Sequence, residues 1–299
     1  MLSISIVFLG TSASIPTQER SLSAVAVQRE GELLLFDCGE GTQRQMIKSK
    51  IGFNRKTLIL ITHMHGDHIL GIPGILQTMS LLGREKELLL CGPPGIHEFI
   101  EAILKTVGFT LRFKLQIYEA EKEGLVYEDK EYQVLATYAE HSILNVAYAI
   151  IEKKRPGRFY PDKAESLGVT KGPLWSKLQK NQQVTLANGN IVRPENVLGP
   201  PRSGRKIVYT GDTRPSEKIV ELAKGADVLI HEAAGPHQGH STPYEAGEIA
   251  SRAQVGKLYL IHYPLYGEIT GKSLIADAKK TFRGEVILAE DFMEIEFKK

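Results

Sequence analysis

Cysteine is almost missing from this chain of 299 residues, which has only Cys38 and Cys91. Two thiols cannot build a disulfide framework or a thiolate zinc site, and both sit among apolar neighbours as small core residues do. Any metal must therefore be held by histidine and carboxylate. Long apolar runs are missing too: no stretch approaches the roughly 18 residues of a membrane span. Met1-Leu2-Ser3-Ile4 passes straight into a strand-like alternation, with neither the charged start nor the cleavage site of a signal peptide. A cytoplasmic protein with no membrane partner is expected. There is no fixed-period repeat. Net charge is only +2, which excludes nothing, but it is unevenly spread: Glu152 to Lys206 holds twelve Lys and Arg against four acids.

What is present is a soluble composition, 42% hydrophobic, long enough for one large domain or two ordinary ones. Aliphatic runs alternate with helix-like segments, the pattern of sheets covered by helices. "ISIVFLG", "SAVAVQ" and "ELLLFDCG" read as a strand and a hairpin turning near Arg29-Glu30-Gly31; "TLILITH", "ELLLCG", "FKLQIYEA", "YQVLATYAEHS" and "NVAYAII" follow. Helical spacing covers His68 to Leu82 and Pro94 to Val107. After Lys206 come "KIVYTGDT", "DVLIHEA", "KLYLIHY", "EVILAED" and "MEIEFKK", with helices at Pro215–Lys224, Thr242–Ala253 and near Leu274. The expected organisation is a single α/β domain over 1–299 with an inserted arm at 152–206. The arm is rich in Gly and Pro ("RPGRFYPDK", "TKGPLWSKL", "LGPPRSGRK") and has almost no aliphatic periodicity. A structureless insertion of that length is uncommon and tends to be functional or disordered. Its basic charge and its aromatics Phe159, Tyr160 and Trp175 point to a binding arm.

The densest chemistry is "LILITHMHGDH", Leu58 to His68, where three histidines and an aspartate follow an aliphatic strand. Four such groups cannot all be buried unpaired at tolerable cost, so they point to a cation. Runs elsewhere end at His141, Asp212, His231 and His262, and ligands in α/β sheets gather at strand carboxyl ends. Imidazole with carboxylate suits zinc, and a shared carboxylate can bridge two ions. On this reading His63, His65 and His141 would bind one ion, Asp67, His68 and His262 a second, and Asp212 would bridge them. An open position would remain on each for water, the arrangement of a hydrolase.

The T-H-x-H-x-D-H block, the later lone His, G-D-T and the final His resemble the metallo-β-lactamase superfamily, which implies an αββα sandwich. Within it the chain resembles the RNase Z family, endonucleases of tRNA 3′ processing, along essentially its whole length. "LFDCGEGTQRQ", "ITHMHGDHILGIPGIL", "YTGDTRPS", "HEA" and "HST" match that family's blocks in order, and "KGPLWSKLQK" with "LGPPRSGRK" resembles its exosite. The resemblance implies precursor tRNA as substrate, with phosphodiester attack by a water ionised on two zinc ions per subunit and a 3′-hydroxyl left on the tRNA. It also implies a homodimer whose partner lends its arm.

Asp67, beside the ionised water and on the second ion, is the natural acceptor of its proton, and on the resemblance His240 protonates the leaving oxygen. Glu232 orients His240, and His231 stands beside them outside the ligand set. Lys171, Gly172, Pro173, Trp175, Lys177 and Lys180 are the candidate tRNA contacts. Departures occur in the early P-x-K-x-R-N loop, here Pro16 to Ser21, which lacks the Lys and the Asn and in relatives bears on reading a CCA end. H-E-A-T reads His231 to Ala234, and the H-x-S-x-R-Y ending keeps only His262 as ligand. His97 reads as a surface histidine, His237 as a loop residue, Asp37 as a residue that orients a ligand, and Tyr263 as packing. The rival function is another hydrolase of the same fold, a small-molecule phosphodiesterase, thioesterase or lactonase, which would need no basic arm; a non-catalytic RNA-binding homologue is the second rival, and it should have lost ligands.

Overall fold

Aliphatic runs without polar alternation need cover on both faces, and the strands find it in a second sheet on one side and helices on the other. The computed structural model describes residues 4–236, 239–264 and 269–297. Two compact units are present: Met1–Glu128 with Val134–Ile150 and Lys206–Lys299, and Asp129–Gln133 with Ile151–Arg205. The strands, in chain order, are β1 (Ile4–Gly10), β2 (Ala24–Arg29), β3 (Glu32–Phe36), β4 (Lys56–Leu60), β5 (Leu88–Gly92), β6 (Leu115–Glu119), β7 (Gly124–Glu128), β8 (Tyr132–Ala139), β9 (Asn145–Glu152), β10 (Val184–Thr185), β11 (Ile191–Val192), β12 (Lys206–Tyr209), β13 (Val228–Glu232), β14 (Lys257–Ile261), β15 (Glu285–Leu288) and β16 (Glu294–Phe297). One seven-stranded sheet runs β16-β1-β2-β3-β4-β5-β6, and the other runs β15-β14-β13-β12-β9-β8-β7.

Period-two alternation assigns each residue a face. On β3, Leu33 and Leu35 join a core with Ile59, Ile75, Leu76, Ile96 and Ile100. That core includes residues of α3 (Ile72–Leu81) and α4 (Ile96–Val107), which follow α1 (Thr42–Lys48) and α2 (Gly66–Ile69). Phe36 points the other way and stacks on Tyr209 at 5.1 Å and Tyr148 at 6.4 Å, both from the second sheet. Phe8 meets Tyr259 at 5.5 Å in the same manner. Each fully buried Leu, Ile or Phe contributes about 1.5–3 kcal/mol, so these interleaved faces supply most of the driving force.

The expected helix over His68–Leu82 is two helices, α2 and α3, separated by Leu70 and Gly71. At Gly71 the chain lies against the turn after β3: its N–H donates to the Cys38 carbonyl at 2.8 Å, and a Cβ there would stand 2.1 Å from the Gly39 oxygen. This close approach fastens the Asp37 turn to the histidine loop, where Cys38 N donates to His68 O at 2.8 Å. Helix α1 and strand β7 were not expected. Two-turn α1 buries Thr42 and Gln45 beside Met46, so its pattern does not read as amphipathic.

In the smaller unit lie α5 (Pro161–Ser166), α6 (Pro173–Gln179), the hairpin β10–β11 and α7 (Pro194–Val197). Here the expectation of an aperiodic insertion is corrected. Ala164, Val169, Leu178, Val184, Val192 and Val197 form a small core, backed by Phe159, Leu174 and Trp175. Each element is too short to show a period, which is why the pattern is invisible in sequence. Antiparallel bridges Arg155↔Arg202 and Phe159↔Leu198 close the unit's base. A Cβ on Gly157 would lie 1.9 Å from the Gly199 oxygen, so the Gly-Pro runs are where two chain segments cross. Back in the larger unit, α8 (Glu217–Ala223), α9 (Pro243–Arg252) and α10 (Gly271–Ala278) complete the helices, with α9 against β13 and β14 and α10 against β15. No helix among the described residues is long and apolar enough to cross a membrane.

Candidate active site

Strand β4 ends at Leu60; the loop beyond it carries His63 and His65, and the short helix α2 carries Asp67 and His68. His141 follows β8, Asp212 follows β12, and His262 directly follows β14. Asp37 and His262 both adopt left-handed backbone (φ 55° and 50°), a costly conformation for side chains without glycine's freedom and one found where a site demands it.

These side chains converge. His63, His65 and His141 present ring nitrogens within 4.8 Å of one another, as do ligand atoms of Asp67, His68 and His262 and of His63, His68 and Asp212. Asp212 lies between the groups. Its Oδ2 is 3.5 Å from His68 Nε2 and 3.7 Å from His63 Nε2, and its Oδ1 is 3.3 Å from His262 Nδ1. His63 Nε2, His68 Nε2, His262 Nδ1 and Asp212 Oδ1 are buried with no hydrogen-bond partner. Four orphaned polar atoms facing one another are costly, and a cation among them removes the cost. The donor set of imidazoles and carboxylates, with no thiol, fits a metal of the zinc class.

Electrostatics agree with that fit. Burial opposes ionisation of Asp212, but His262 and His68 outweigh it and hold the carboxyl well below its ordinary range. Asp67 behaves alike: burial is overcome by hydrogen bonds from His262 and His68. Burial and the neighbouring His68 push His63 well down, so its ring is a neutral donor. Burial would lower His68 as well, but the carboxylates Asp212 and Asp37 raise it well above its usual value, the same negative surroundings that favour a cation at the site.

Behind the ligands stand groups that fix their rings. Asp37 accepts His68 Nδ1–H at 2.7 Å, His141 Nδ1–H donates to Gly239 O at 2.7 Å, and Thr62 Oγ1 lies 2.9 Å from His63 Nδ1. Backbone N–H of Ser14 donates to Asp67 Oδ2 at 3.2 Å. Arg20, the arginine kept from the early loop, is nearly buried; it stacks 3.7 Å over the Tyr263 ring and donates to Tyr263 O at 2.9 Å. It thereby ties that loop to the turn bearing His262. Tyr263 itself is buried and donates to Ala289 O.

His240 is half-buried. Its Nδ1 is 3.0 Å from Glu232 Oε1 and 3.9 Å from Asp212 Oδ2. Burial would lower its pKa, yet Glu232 outweighs this and raises it. Glu232 in turn receives backbone N–H groups of Thr213, Ala234 and Ser241.

His231 does not join them, contrary to expectation. Adjacent strand residues face opposite ways, so with Glu232 at the site His231 turns from it, fully buried, its Nδ1 2.8 Å from the Glu232 carbonyl. In the smaller unit Lys171, Gly172, Pro173, Lys177 and Lys180 are exposed, but Trp175 is corrected: its Nε1 donates to Val169 O at 2.8 Å and its ring packs 5.2 Å from Phe159. That half-buried indole packs against the unit's core, so it is not the freely exposed platform expected. His97 is on the surface, 3.7 Å from Glu101, and His237 lies outside the described residues. Thr62, Tyr209 and the Gly239 carbonyl were not anticipated. A threonine or a strand tyrosine carries no local signal of what it faces.

Two family models match parts of the chain, one described as anti-Pycsar protein Apyc1 over residues 4–118 and one as a beta-lactamase superfamily domain over residues 196–263. Ribonuclease Z of Methanosarcina acetivorans is 47% identical, with 97% of each chain covered. That of Methanothermobacter thermautotrophicus is 44% identical, covering 98% of this chain and 96% of its own. Among solved structures, the human short-form tRNase Z superposes with a TM-score of 0.68 at 29% identity, over 97% of this chain and 98% of its own. The Bacillus subtilis metallo-β-lactamase fold protein YhfI, at 19% identity and TM-score 0.70, covers 99% of this chain and 100% of its own and shares the fold. Identity of this level over nearly the whole length, together with the convergent histidines and aspartates, shows that the chain belongs to the ribonuclease Z family, on a metallo-β-lactamase fold.

Proposed function

We propose that this chain is a metal-dependent endoribonuclease that removes the 3′ trailer from precursor tRNA and leaves a 3′-hydroxyl on the tRNA. The observation that carries the reading is that Asp212 is shared by two histidine-rich ligand groups and stands 3.9 Å from a histidine already paired with a carboxylate. His63, His65 and His141 would hold one ion, Asp67, His68 and His262 a second, and Asp212 both. Zinc-class ions bound there would supply Lewis acidity and the ionisation of water near neutral pH.

The chain's own residues do the rest. Asp67, the more exposed of the two carboxylates in the ligand set, takes the proton of the attacking water. His240 keeps Nδ1–H on Glu232, whose charge favours the protonated ring, and gives its Nε2 proton to the departing nucleotide oxygen. Exposed Lys171, Lys177 and Lys180, with the excess of positive charge between residues 152 and 206, neutralise phosphates of the tRNA body. The similarity to ribonuclease Z and tRNase Z supports this substrate over a small phosphodiester. Loading with two zinc ions, a homodimer whose partner supplies its arm, and a cytoplasmic site of action extend the reading, the ligand chemistry supporting the first and family resemblance the others.

The deciding assay incubates purified protein with end-labelled precursor tRNA bearing a 3′ trailer, with and without chelator, and maps the product ends. Chelator-sensitive release of a trailer and a 3′-hydroxyl tRNA is expected. Hydrolysis of small diesters with intact precursor tRNA would overturn the assignment in favour of the rival hydrolase.

A further inference from the structure

Donors from both sheets converge on Asp37 behind the ligand set. Its fully buried carboxylate accepts Thr62 N at 2.8 Å and Thr62 Oγ1 at 3.0 Å on Oδ1, and His68 Nδ1 at 2.7 Å and the Tyr209 hydroxyl at 2.8 Å on Oδ2. A hydroxyl has one proton to give. Thr62 gives its proton to Asp37, so its lone pair receives Nδ1–H of His63 at 2.9 Å. Both imidazoles therefore carry a proton on Nδ1 and direct toward Asp212 an Nε2 that is buried without a hydrogen-bond partner. Thr62 lies in the loop after β4 and His68 in α2 directly beyond it. Tyr209 comes from β12 in the opposite sheet and stands three residues before Asp212. Its ring is held independently, by stacking on Phe36 at 5.1 Å.

We infer that Tyr209 is a positioning residue of the metal centre, its hydroxyl locking Asp37 so that His68 and His63 present Nε2 in one fixed orientation to Asp212. The inference rests on the metal-centre reading above. Without that hydroxyl, Asp37 Oδ2 loses a donor at a fully buried position, and the carboxylate turns to find another, taking the His68 ring with it. The tyrosine thus couples the strand that carries the shared carboxylate to the loop that carries the histidines.

Tyr148 is the matched control: equally buried, stacked on the same Phe36 at 6.4 Å, but with its hydroxyl donating to Ile61 O at 2.7 Å. Zinc affinity is measured by competition with a chromophoric chelator for the parent, Tyr209→Phe and Tyr148→Phe. In the loaded proteins the slowly exchanging His68 Nδ1–H proton is followed by NMR. Tyr209→Phe is expected to bind zinc about 10–100-fold more weakly and to broaden that resonance, while Tyr148→Phe lowers Tm and leaves affinity and resonance in place. Equal loss of affinity in both variants, or none in Tyr209→Phe, overturns the inference. Should Tyr209→Phe not fold, 3-fluorotyrosine placed at 209 alone keeps the shape and alters donor strength, and an unmoved His68 resonance overturns it. A parent that binds no zinc in the same titration defeats the metal-centre reading itself, a different result from loss of the Tyr209 effect.

Discussion

Glu232 Oε1 stands 3.0 Å from Nδ1 of His240, and the same oxygen receives backbone N–H groups of Thr213 and Ser241 at 3.1 and 3.0 Å. The carboxylate is immobilised by main chain on both sides, so it fixes which ring nitrogen of His240 is committed and which is free to deliver a proton.

His240→Ala should therefore keep its metal and lose about 10²–10⁴-fold in turnover of a nucleotide leaving group, with a far smaller loss on an activated aryl phosphodiester that leaves without protonation. Steady-state kinetics on the two substrates, beside elemental analysis, check this. Equal losses would reduce His240 to a positioning role.

Because Asp212 is within 3.7 Å of both His63 and His68 and 3.3 Å of His262, its removal should disturb both ligand groups together. Metal-saturated parent should contain about two zinc-class ions per chain, and Asp212→Ala should deplete both. One ion at saturation would contradict the shared-carboxylate arrangement.

Replacing Lys171 to Lys180 outright would remove Leu178 and Trp175 from the small core, so charge and fold must be tested apart. Substituting Gln at exposed Lys171, Lys177 and Lys180 together should raise KM for precursor tRNA at least tenfold and flatten the salt dependence of binding by about 0.7–0.9 in log–log slope per lost phosphate contact. Hydrolysis of an aryl diester should stay as in the parent. An unchanged salt slope would show that these lysines touch no phosphate.

Burial depresses the His231 pKa to about 4, from an ordinary 6.5, and its Nε2 is buried without a partner. Above pH 6.5 the ring is neutral folded and unfolded, and contributes no pH dependence. As pH falls from 6.5 to 4 the unfolded chain takes a proton that the folded chain refuses, so stability drops, by about 3 kcal/mol in all, and then levels off. Urea titrations of metal-free parent and His231→Gln at pH 7 and 4.5 should show a smaller acid loss in the variant. Parallel losses would mean that other groups carry the acid sensitivity.

By itself the sequence determined the strands and their order of chemistry. In β1 and β14 residues 6–9 and 258–261 are hydrophobic at every step and buried, as a strand covered on both faces requires. The ligand residues were legible for a related reason: His63, His65, Asp67 and His68 are local, and their spacing shows that they share one short segment after a strand. What tertiary structure alone decided is which neighbours those residues meet. His231 and Glu232 are adjacent in sequence, and only the register of β13 sends one into the site and the other away from it. Trp175 in a basic, Gly-rich segment looks like a nucleotide platform until Phe159 and the Val169 carbonyl claim it. Tyr209 shows no polar role in the run "KIVYTGD", because its partner Asp37 lies 172 positions away, in the turn after a strand of the other sheet. Periodicity and composition report the face a residue turns to its own element, whereas a hydrogen bond across two stacked sheets depends on where independent chain segments pack, which no local pattern encodes.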